Sequence, residues 1–293
     1  HVWPGEAAHD EETLELSARL GLAELAAGGT TTILDMGTVR HTDAVFRAAQ
    51  ASGLRVTSGN ALMDDAAMNP PELFAETDEA LEEGERLLAR WHGAANGRLR
   101  FAWCPRFAVS CTDRILEEAA SRARAQGVLV HTHASENLDE VALVRERSGR
   151  ANIEHLREVG IGGRGTVLAH VIHTSEEERR LLLADGTAVA HCPSSNLKLA
   201  SGICPVPDYL GRGIRVTLGA DGAPCNDRLD VFSEMRHAAL LQKIAAGPGA
   251  LTAWQVVRMA TAEGAEALGL GDVCGTIEVG KRADLVLLDP SAG

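Results

Sequence analysis

Apolar, β-prone segments alternate with amphipathic helical segments along nearly the whole chain, and this alternation constrains the fold more than any other feature. Strands that read as continuous apolar runs are typical of a parallel sheet covered on both faces. Serial strand–helix units of this kind predict an α/β barrel of the TIM type, and seven units are one short of its eight. The predicted strands cover residues 30–35, 54–58, 99–104, 127–133, 165–170, 187–191 and 214–220. The predicted helices include 12–27, 42–52, 71–93, 112–126, 175–185, 229–243 and 251–268.

The chain length suits one large α/β barrel domain or two ordinary domains. The 293 residues are 45% apolar, enough to bury a sizeable core. We expect residues 1–272 to form the barrel domain. Residues 273–293 include GTIEVGKRADLVLLD, which predicts a turn and then an extended strand that enters a small separate β layer.

Charge and cysteine usage exclude several classes of protein. The formal charge of −13 argues against nucleic acid or an anionic membrane as the main partner. No signal peptide or long apolar run is visible, so we expect no membrane span. The six cysteines are scattered and form no C-x-x-C pair, which argues against a disulfide framework or a structural zinc cluster. Reduced thiols in the cytoplasm fit this pattern best.

Imidazoles and carboxylates stand at the ends of four consecutive predicted strands. The carboxyl ends of barrel strands meet at one mouth, where the active sites of such barrels lie. A hydrolytic metal site needs neutral imidazoles, a carboxylate and one open position for water. Any one of these residues alone is more often structural, but their order along four strands favours a site. These residues are His131, His133 and Glu136, then His170, then His191, then Asp221.

Six segments resemble signatures of the amidohydrolase superfamily, in its cytosine/guanine deaminase and triazine hydrolase branch. In order, these six match the second barrel strand and the fourth to the eighth, and a seventh segment, GTIEVGKRADLVLLD at 275–289, resembles the return into a C-terminal β-sandwich. The segments are GTTTILDMG at 29–37, CPRFAVSC at 104–111, VHTHASEN at 130–137, VLAHVIH at 167–173, AHCPSSNLKLASG at 190–202 and LGADGAPCND at 218–227.

The resemblance implies a role for each of these residues. His133 would be a metal ligand, and Asp221 would be a ligand that also transfers protons. Glu136 would donate a proton to a ring nitrogen, and His170 would orient or deprotonate the attacking water. The implied cofactor is one divalent metal ion, zinc or alternatively iron. His191 and Asn196 are expected on the substrate side of the site.

Two signals for the substrate conflict. Arg106 lies in PRFAVSC, which resembles the P-R-F-x-x-S-C segment of guanine deaminases, although a salt bridge at the barrel mouth is an equal interpretation. GADGAPCND and AALLQK (238–243) resemble deaminases of 5′-modified adenosines such as 5′-deoxyadenosine, methylthioadenosine and S-adenosylhomocysteine. We therefore predict hydrolytic removal of an amino group from a purine base or 5′-modified adenosine. Guanine deamination, amino- or chlorohydrolysis of an s-triazine, and a metal-free barrel with a binding role are the alternatives. A small heterocyclic substrate and a homo-oligomer are the expected partners.

The sequence departs from the family pattern at the first barrel strand. That strand and its H-x-H metal pair are absent, and His131-Thr132-His133 belongs to the fifth unit. His131 is then a structural neighbour of the site rather than a ligand. Only His133 and Asp221 remain as clear ligands, whereas catalytic zinc usually has three protein ligands. We expect this chain alone to bind metal weakly and turn over poorly.

Overall fold

The computed structural model describes residues 2–289 and 291, and its strands form one all-parallel sheet. The strands begin and end within a few residues of the predicted bounds. They are β1 (Thr32–Leu34), β2 (Arg55–Ser58), β3 (Ala61–Leu62), β4 (Leu99–Pro105), β5 (Leu129–Ala134), β6 (Thr166–His170), β7 (Ala188–His191) and β8 (Val216–Leu218).

The strands follow the chain order, as serial strand–helix units require. The sheet order is β1-β2-β4-β5-β6-β7-β8, and β3 pairs with the end of β4 beyond the stretch that β2 occupies. β2 and β3 are therefore one interrupted strand, and the seven predicted strand positions are confirmed. Within the described residues β1 pairs only with β2 and β8 only with β7, so the sheet has two edges.

Helices cover the connections between the strands. The predicted helix 71–93 begins only at Thr77, and the N–H of Ala75 before it donates to the carbonyl oxygen of Met63 instead of to a helical partner. The last predicted helix breaks at Thr261. In the described part of the chain the helices are α1 (Val2–Ala7), α2 (Glu11–Ala27), α3 (Thr42–Ser52), α4 (Thr77–Trp91), α5 (Ala94–Gly97), α6 (Asp113–Gln126), α7 (Leu138–Ser148), α8 (Asn152–Glu158), α9 (Glu176–Asp185), α10 (Pro193–Lys198), α11 (Val206–Arg212), α12 (Ala223–Asn226), α13 (Val231–Ala246), α14 (Ala253–Ala260) and α15 (Ala262–Ala267).

The sheet curls so that its two ends share an interior. Leu34 of β1 packs against a cluster that contains Val167 of β6 and Ala188 of β7. Residues on strands far apart in the sheet order meet only when the sheet bends towards a barrel. The main core lies between the sheet and the helices, where Phe46 of α3 stacks on Trp91 of α4 with 5.5 Å between ring centroids. This arrangement confirms the predicted α/β fold of the TIM-barrel kind.

The segment after the barrel does not form the predicted strand. Residues 275–289 contain no strand, and Ile277, Val279 and Leu287 are largely exposed. A single extended segment cannot complete its backbone hydrogen bonds without a partner strand. The buried Arg55, at the start of β2, does hold Asp284 through an ion pair of 2.5 Å. The β-sandwich beginning at residue 273 stays a prediction.

Two further features of the described residues bear on the sequence-based exclusions. No helix is long and apolar enough to cross a membrane. All six cysteines are free thiols, and five of them are buried.

Gly59 separates β2 from β3 at a point where the chain has no room for a side chain. A Cβ atom built there would lie 1.9 Å from the carbonyl oxygen of Ala102 in β4. We expect Gly59→Ala to lower the free energy of unfolding by about 1–3 kcal/mol or more, because backbone must move to admit the methyl group. Urea denaturation measures the change.

Gly211 is the matched control for this substitution. It lies in α11, and a Cβ there would meet nothing within 4 Å. Gly211→Ala is expected to leave stability unchanged or to raise it by up to about 1 kcal/mol. Equal effects of the two substitutions would contradict the proposed close approach.

Candidate active site

β5 directs two imidazoles into the barrel, because alternate residues of a strand face the same side. Nδ1 of His133 lies 2.7 Å from the carbonyl oxygen of Arg106, and Nδ1 of His131 lies 3.0 Å from that of Val167. A carbonyl oxygen only accepts, so each ring carries its hydrogen on Nδ1 and keeps the Nε2 lone pair free. Burial lowers the pKa of His133 to about 3 and that of His131 to about 4. Both rings are thus held neutral, which is the form that binds metal.

The turn after β5 places Glu136 at the mouth. Ser135 has a φ of +52°, in the left-handed region, and the Glu140 carboxylate accepts hydrogen bonds from the N–H groups of Ser135 (2.9 Å) and Glu136 (2.7 Å). Asn152 donates a further bond to Glu140. The side chain of Glu136 is buried, and its Oε1 accepts from the Ser201 hydroxyl at 3.2 Å. Two buried contacts therefore fix the backbone and the carboxylate of Glu136.

His170, at the end of β6, lies between two carboxylates. Its Nε2 is 3.9 Å from Oε2 of Glu136 and 4.0 Å from Oδ2 of Asp221. These distances exceed a hydrogen bond but let both carboxylates attract a proton on Nε2. Nδ1 lies 2.8 Å from the amide oxygen of Asn196, which fixes the ring.

Asp221 follows β8 in a left-handed backbone conformation with a φ of +62°. Its Oδ2 accepts from the Ser195 hydroxyl at 2.6 Å, and its Oδ1 accepts from the N–H of Gly222 at 2.6 Å. Burial by itself raises the pKa of Asp221, but His170, His133 and the bond from Ser195 hold that pKa below its usual value. The carboxylate is therefore ionised beside the two imidazoles.

His191 and Asn196 carry polar atoms without protein partners. Both ring nitrogens of His191 and Nδ2 of Asn196 are buried and make no hydrogen bond among the described residues. Burial, together with the nearby His170, lowers the pKa of His191 to about 3. Orphaned buried groups of this kind are rare in proteins and mark places where a bound group can complete the bonding. The predicted substrate-side role of these two residues stays a prediction.

Arg106 is paired at the mouth by two residues that sequence reasoning missed. Its Nη1 donates to the Glu6 carboxylate at 2.6 Å, and its guanidinium lies 5.8 Å from the ring centroid of Trp3. The side chains of Arg106 and Glu6 are 11% and 12% exposed, so this ion pair is not a solvated surface pair. Within the described residues only Nη1 of Arg106 has side-chain hydrogen-bond or sulfur contacts, which leaves Nε and Nη2 as spare donors.

The donor set suits a divalent metal, but two ligands are few. Neutral imidazole nitrogens and an ionised carboxylate are the ligands that zinc uses in hydrolases. The residues numbered 2–289 and 291 contain no group of three or more histidine, cysteine, aspartate or glutamate side chains placed to hold an ion. His133 and Asp221 fit the predicted ligand roles in chemistry, and a complete site needs further ligands.

Comparison with known proteins identifies the family. Residues 5–292 match the model of the amidohydrolase family. The chain belongs to this family. It is 36% identical over 288 residues to a 5-methylthioadenosine/S-adenosylhomocysteine deaminase from Desulfitobacterium hafniense, which covers 98% of this chain and 64% of that protein. It is 39% identical over 290 residues to a 5′-deoxyadenosine deaminase from Methanothermobacter thermautotrophicus, covering 99% and 66%. The chain thus spans slightly less than two thirds of these relatives.

Solved amidohydrolase structures share the fold over nearly the whole chain. A guanine deaminase from E. coli superposes with a TM-score of 0.90 at 30% identity, covering 97% of this chain and 66% of that one. An adenosine deaminase from Xanthomonas campestris with bound zinc gives 0.87 at 32% identity, covering 97% and 63%. A triazine hydrolase from Arthrobacter aurescens gives 0.89 at 28% identity, covering 95% and 64%. The predicted resemblance to the amidohydrolase family is confirmed. The similar proteins include deaminases of 5′-modified adenosines and a guanine deaminase, the two kinds that the conflicting substrate signals resemble.

Proposed function

We propose that this amidohydrolase chain is the larger part of a metal-dependent deaminase that removes an amino group from the purine ring of a 5′-modified adenosine. The observation that carries the proposal is the position of His170, with one ring nitrogen 3.9 Å from Glu136 and 4.0 Å from Asp221. Two carboxylates around one imidazole provide the acid and base groups that a hydrolysis with proton transfers requires. The curated relatives named above support an adenosine-type substrate.

His133 and Asp221 would hold the divalent ion, together with ligands outside the described set. The zinc in the related adenosine deaminase supports zinc, and iron suits the same ligands. When bound, such an ion supplies Lewis acidity that lowers the pKa of a water towards neutrality. Because His133 keeps its hydrogen on Nδ1, its Nε2 needs no deprotonation before binding.

The other site residues move the protons. Water adds to the ring carbon that bears the amino group, so a C–O bond forms and a proton is left over. His170 holds that proton at Nε2 or passes it to Oδ2 of Asp221. Glu136 gives a proton to the neighbouring ring nitrogen. The proton held by His170 or Asp221 then moves to the amino group, the C–N bond breaks and ammonia leaves, while the added hydroxyl group returns a proton to Glu136 as the carbonyl forms. The products are a ring carbonyl and ammonia, which balances the reaction.

The same site is compatible with the alternative substrates, and an assay separates them. Ammonia release from 5′-deoxyadenosine, methylthioadenosine, S-adenosylhomocysteine, guanine and amino-triazines identifies the class, and chloride release from a chlorotriazine identifies a chlorohydrolase. We expect the 5′-modified adenosines to react fastest. If neither this chain nor the N-terminally extended chain described below binds metal or releases either product, the proposal is overturned in favour of a binding role.

The assay includes this chain and a chain extended at its N-terminus by the preceding segment of a relative, which supplies the H-x-H pair. We expect the extended chain to bind about one zinc ion tightly and to turn over, because the H-x-H pair raises the number of protein ligands from two to four, and catalytic zinc usually needs three. Equal metal content and equal rates in both chains would contradict this two-ligand account.

We further propose that Arg106 recognises the purine through hydrogen bonds from its spare donors, Nε and Nη2. Arg106→Ala is expected to lower kcat/KM for the preferred purine about 10–100-fold, as loss of a hydrogen bond from a charged donor does. Arg179 is the matched control, since it also pairs with a carboxylate (Asp208, 3.1 Å) and lies over an aromatic ring (Tyr209, 5.9 Å) away from the site. An unchanged substrate ranking in Arg106→Ala would leave Arg106 with only its salt bridge to Glu6.

Two finer proposals concern where and how the protein works. The six free cysteines support a reducing compartment, the cytoplasm. Homo-oligomerisation is proposed from the family resemblance alone, and size-exclusion chromatography with light scattering tests it.

A further inference from the structure

One buried carboxylate outside the catalytic set contacts both loops that carry Asp221 and its partners. Glu234 lies in α13 and is 1% exposed. Its Oε2 accepts the N–H of Ser194 at 3.1 Å, and its Oε1 accepts Nδ2 of Asn226 at 2.8 Å. Ser194 lies in α10, within the connection of residues 192–202 called here the loop after β7. Asn226 ends α12, within the connection of residues 219–227 called here the loop after β8. A buried carboxylate is costly unless it is hydrogen bonded, so these two donors fix its position.

Each of the two contacts continues towards Asp221. On one side, Ser194 precedes Ser195, whose hydroxyl donates to Oδ2 of Asp221 at 2.6 Å. On the other side, Asn226 also donates to the carbonyl oxygen of Ala220 at 2.7 Å, directly before Asp221. The contacts therefore close a ring through Glu234, both loops and Asp221.

This closed set of contacts restrains Asp221, which has an unfavourable backbone conformation. Its φ of +62° lies in a region that residues other than glycine rarely adopt, and such strain persists only where the surroundings enforce it. The loop after β7 carries Asn196, which fixes His170, and Ser201, which contacts Glu136. A shift of the loop after β7 would thus move the partners of all three proposed catalytic groups.

His237 provides a second contact between α13 and the loop after β7. Its Nδ1 lies 2.7 Å from the Ser194 hydroxyl, one helical turn beyond Glu234. Ser194 is therefore held through both its backbone and its side chain.

We infer that Glu234 is a positioning residue, which couples the loops after β7 and β8 and holds the Asp221 carboxylate and backbone in their active arrangement. It touches neither substrate nor metal and acts through Ser194, Ser195 and Asn226. The expected changes in zinc affinity and deaminase rate rest on the proposed function. The coupling of the two loops is independent of that function.

Glu234→Gln is the informative substitution. Both oxygens of Glu234 accept from N–H donors, and glutamine has one acceptor oxygen and an NH2 group that would face a donor. One of the two loops must lose its bond, with almost no change in side-chain volume. Glu178→Gln is the matched control, since Glu178 is 3% exposed and accepts backbone N–H groups of Ile153 (3.0 Å) and Ser175 (2.7 Å) away from the site.

Hydrogen exchange of the metal-free chain tests the coupling directly. In Glu234→Gln we expect the amides of Ser194 and Gly222 to exchange about tenfold faster or more, because a hydrogen bond to a charged group no longer restrains local opening. In Glu178→Gln the amides of Ile153 and Ser175 should respond instead. Unchanged exchange at Gly222 in Glu234→Gln, or the same response there in both variants, would overturn the inference.

Zinc affinity gives the second measurement, by competition with a chromophoric chelator and zinc alone. We expect Glu234→Gln to weaken zinc binding about 10–100-fold, as removal of a residue that orients a ligand does, and Glu178→Gln to leave it unchanged. In the extended chain kcat should fall more than KM rises. A wild-type chain that binds no zinc and deaminates nothing in either length would refute the proposed function, while the exchange at Gly222 would still decide the role of Glu234.

Discussion

Glu136→Gln is expected to slow deamination by about 10²–10⁴-fold, the usual contribution of a positioned general acid or base. Glutamine keeps the shape of the side chain and can still accept the hydrogen bond that Ser201 donates to Oε1. It cannot supply a proton to the ring nitrogen, because an amide does not titrate near neutral pH. Steady-state ammonia release with the best substrate of the panel measures the loss.

The effect should fall on kcat, with zinc content unchanged. Glu136 is not one of the proposed ligands, so Glu136→Gln should bind metal within a few-fold of the wild type. Ser201→Ala removes only the contact to Oε1 and should cost far less than Glu136→Gln. Equal losses in the two variants, or full activity in Glu136→Gln, would remove Glu136 from the acid/base role.

The metal-free chain is expected to lose stability steeply as the pH falls below 6.5. The pKa values of buried His131, His133 and His191 lie at about 4, 3 and 3 in the folded chain, whereas histidine in an unfolded chain titrates near 6.5. Between these values the unfolded state binds more protons. The contribution to stability is therefore complete above pH 6.5 and is lost as the pH falls towards the folded-state values.

Each imidazole contributes a slope of about 1.4 kcal/mol per pH unit within this window, so the three together approach about 4 kcal/mol per unit. Asp35 and Glu140 oppose part of this fall, because burial raises the pKa of each and the folded chain then binds their protons more readily. Urea denaturation between pH 7.5 and 5.0, with a chelator present, gives the net slope.

His191→Asn isolates one of the three contributions. Asparagine is polar but cannot titrate, so the slope should fall by about 1.4 kcal/mol per pH unit. Leu156→Ala is the control, since Leu156 is fully buried and its loss should lower stability at every pH without changing the slope. A pH-independent free energy of unfolding in the wild type would contradict the buried, neutral state of these rings.

The position of the candidate site residues at the ends of strands could be predicted from the sequence. His133, His170 and Asp221 follow apolar runs, and the barrel topology alone brings strand ends together. The interpretation of His131 as a structural neighbour stays a prediction, and its ring is bonded to the carbonyl oxygen of Val167 on the adjacent strand.

The contacts between distant segments could not be predicted. Arg106 meets Glu6 across 100 residues, and Ser201 meets Glu136 across 65. Nothing in the local pattern of either partner marks these pairs, because loop conformation decides them. In the sequence Glu234 has the pattern of an ordinary helical glutamate. It is distinguished only by its burial and by the two groups that donate hydrogen bonds to it.

The strand predicted within 275–289 failed for a different reason. Its apolar residues suit a strand, but strand formation depends on a partner, which the pattern of one segment does not supply.

An imidazole and a carboxylate from separate strands are expected to share one ion, and the anomalous scattering of zinc-soaked crystals of the chain tests this most directly. We expect one zinc peak about 2.0–2.2 Å from Nε2 of His133 and from a carboxylate oxygen of Asp221. Zinc bound only elsewhere, in crystals of a chain that releases ammonia from a purine, would contradict the account.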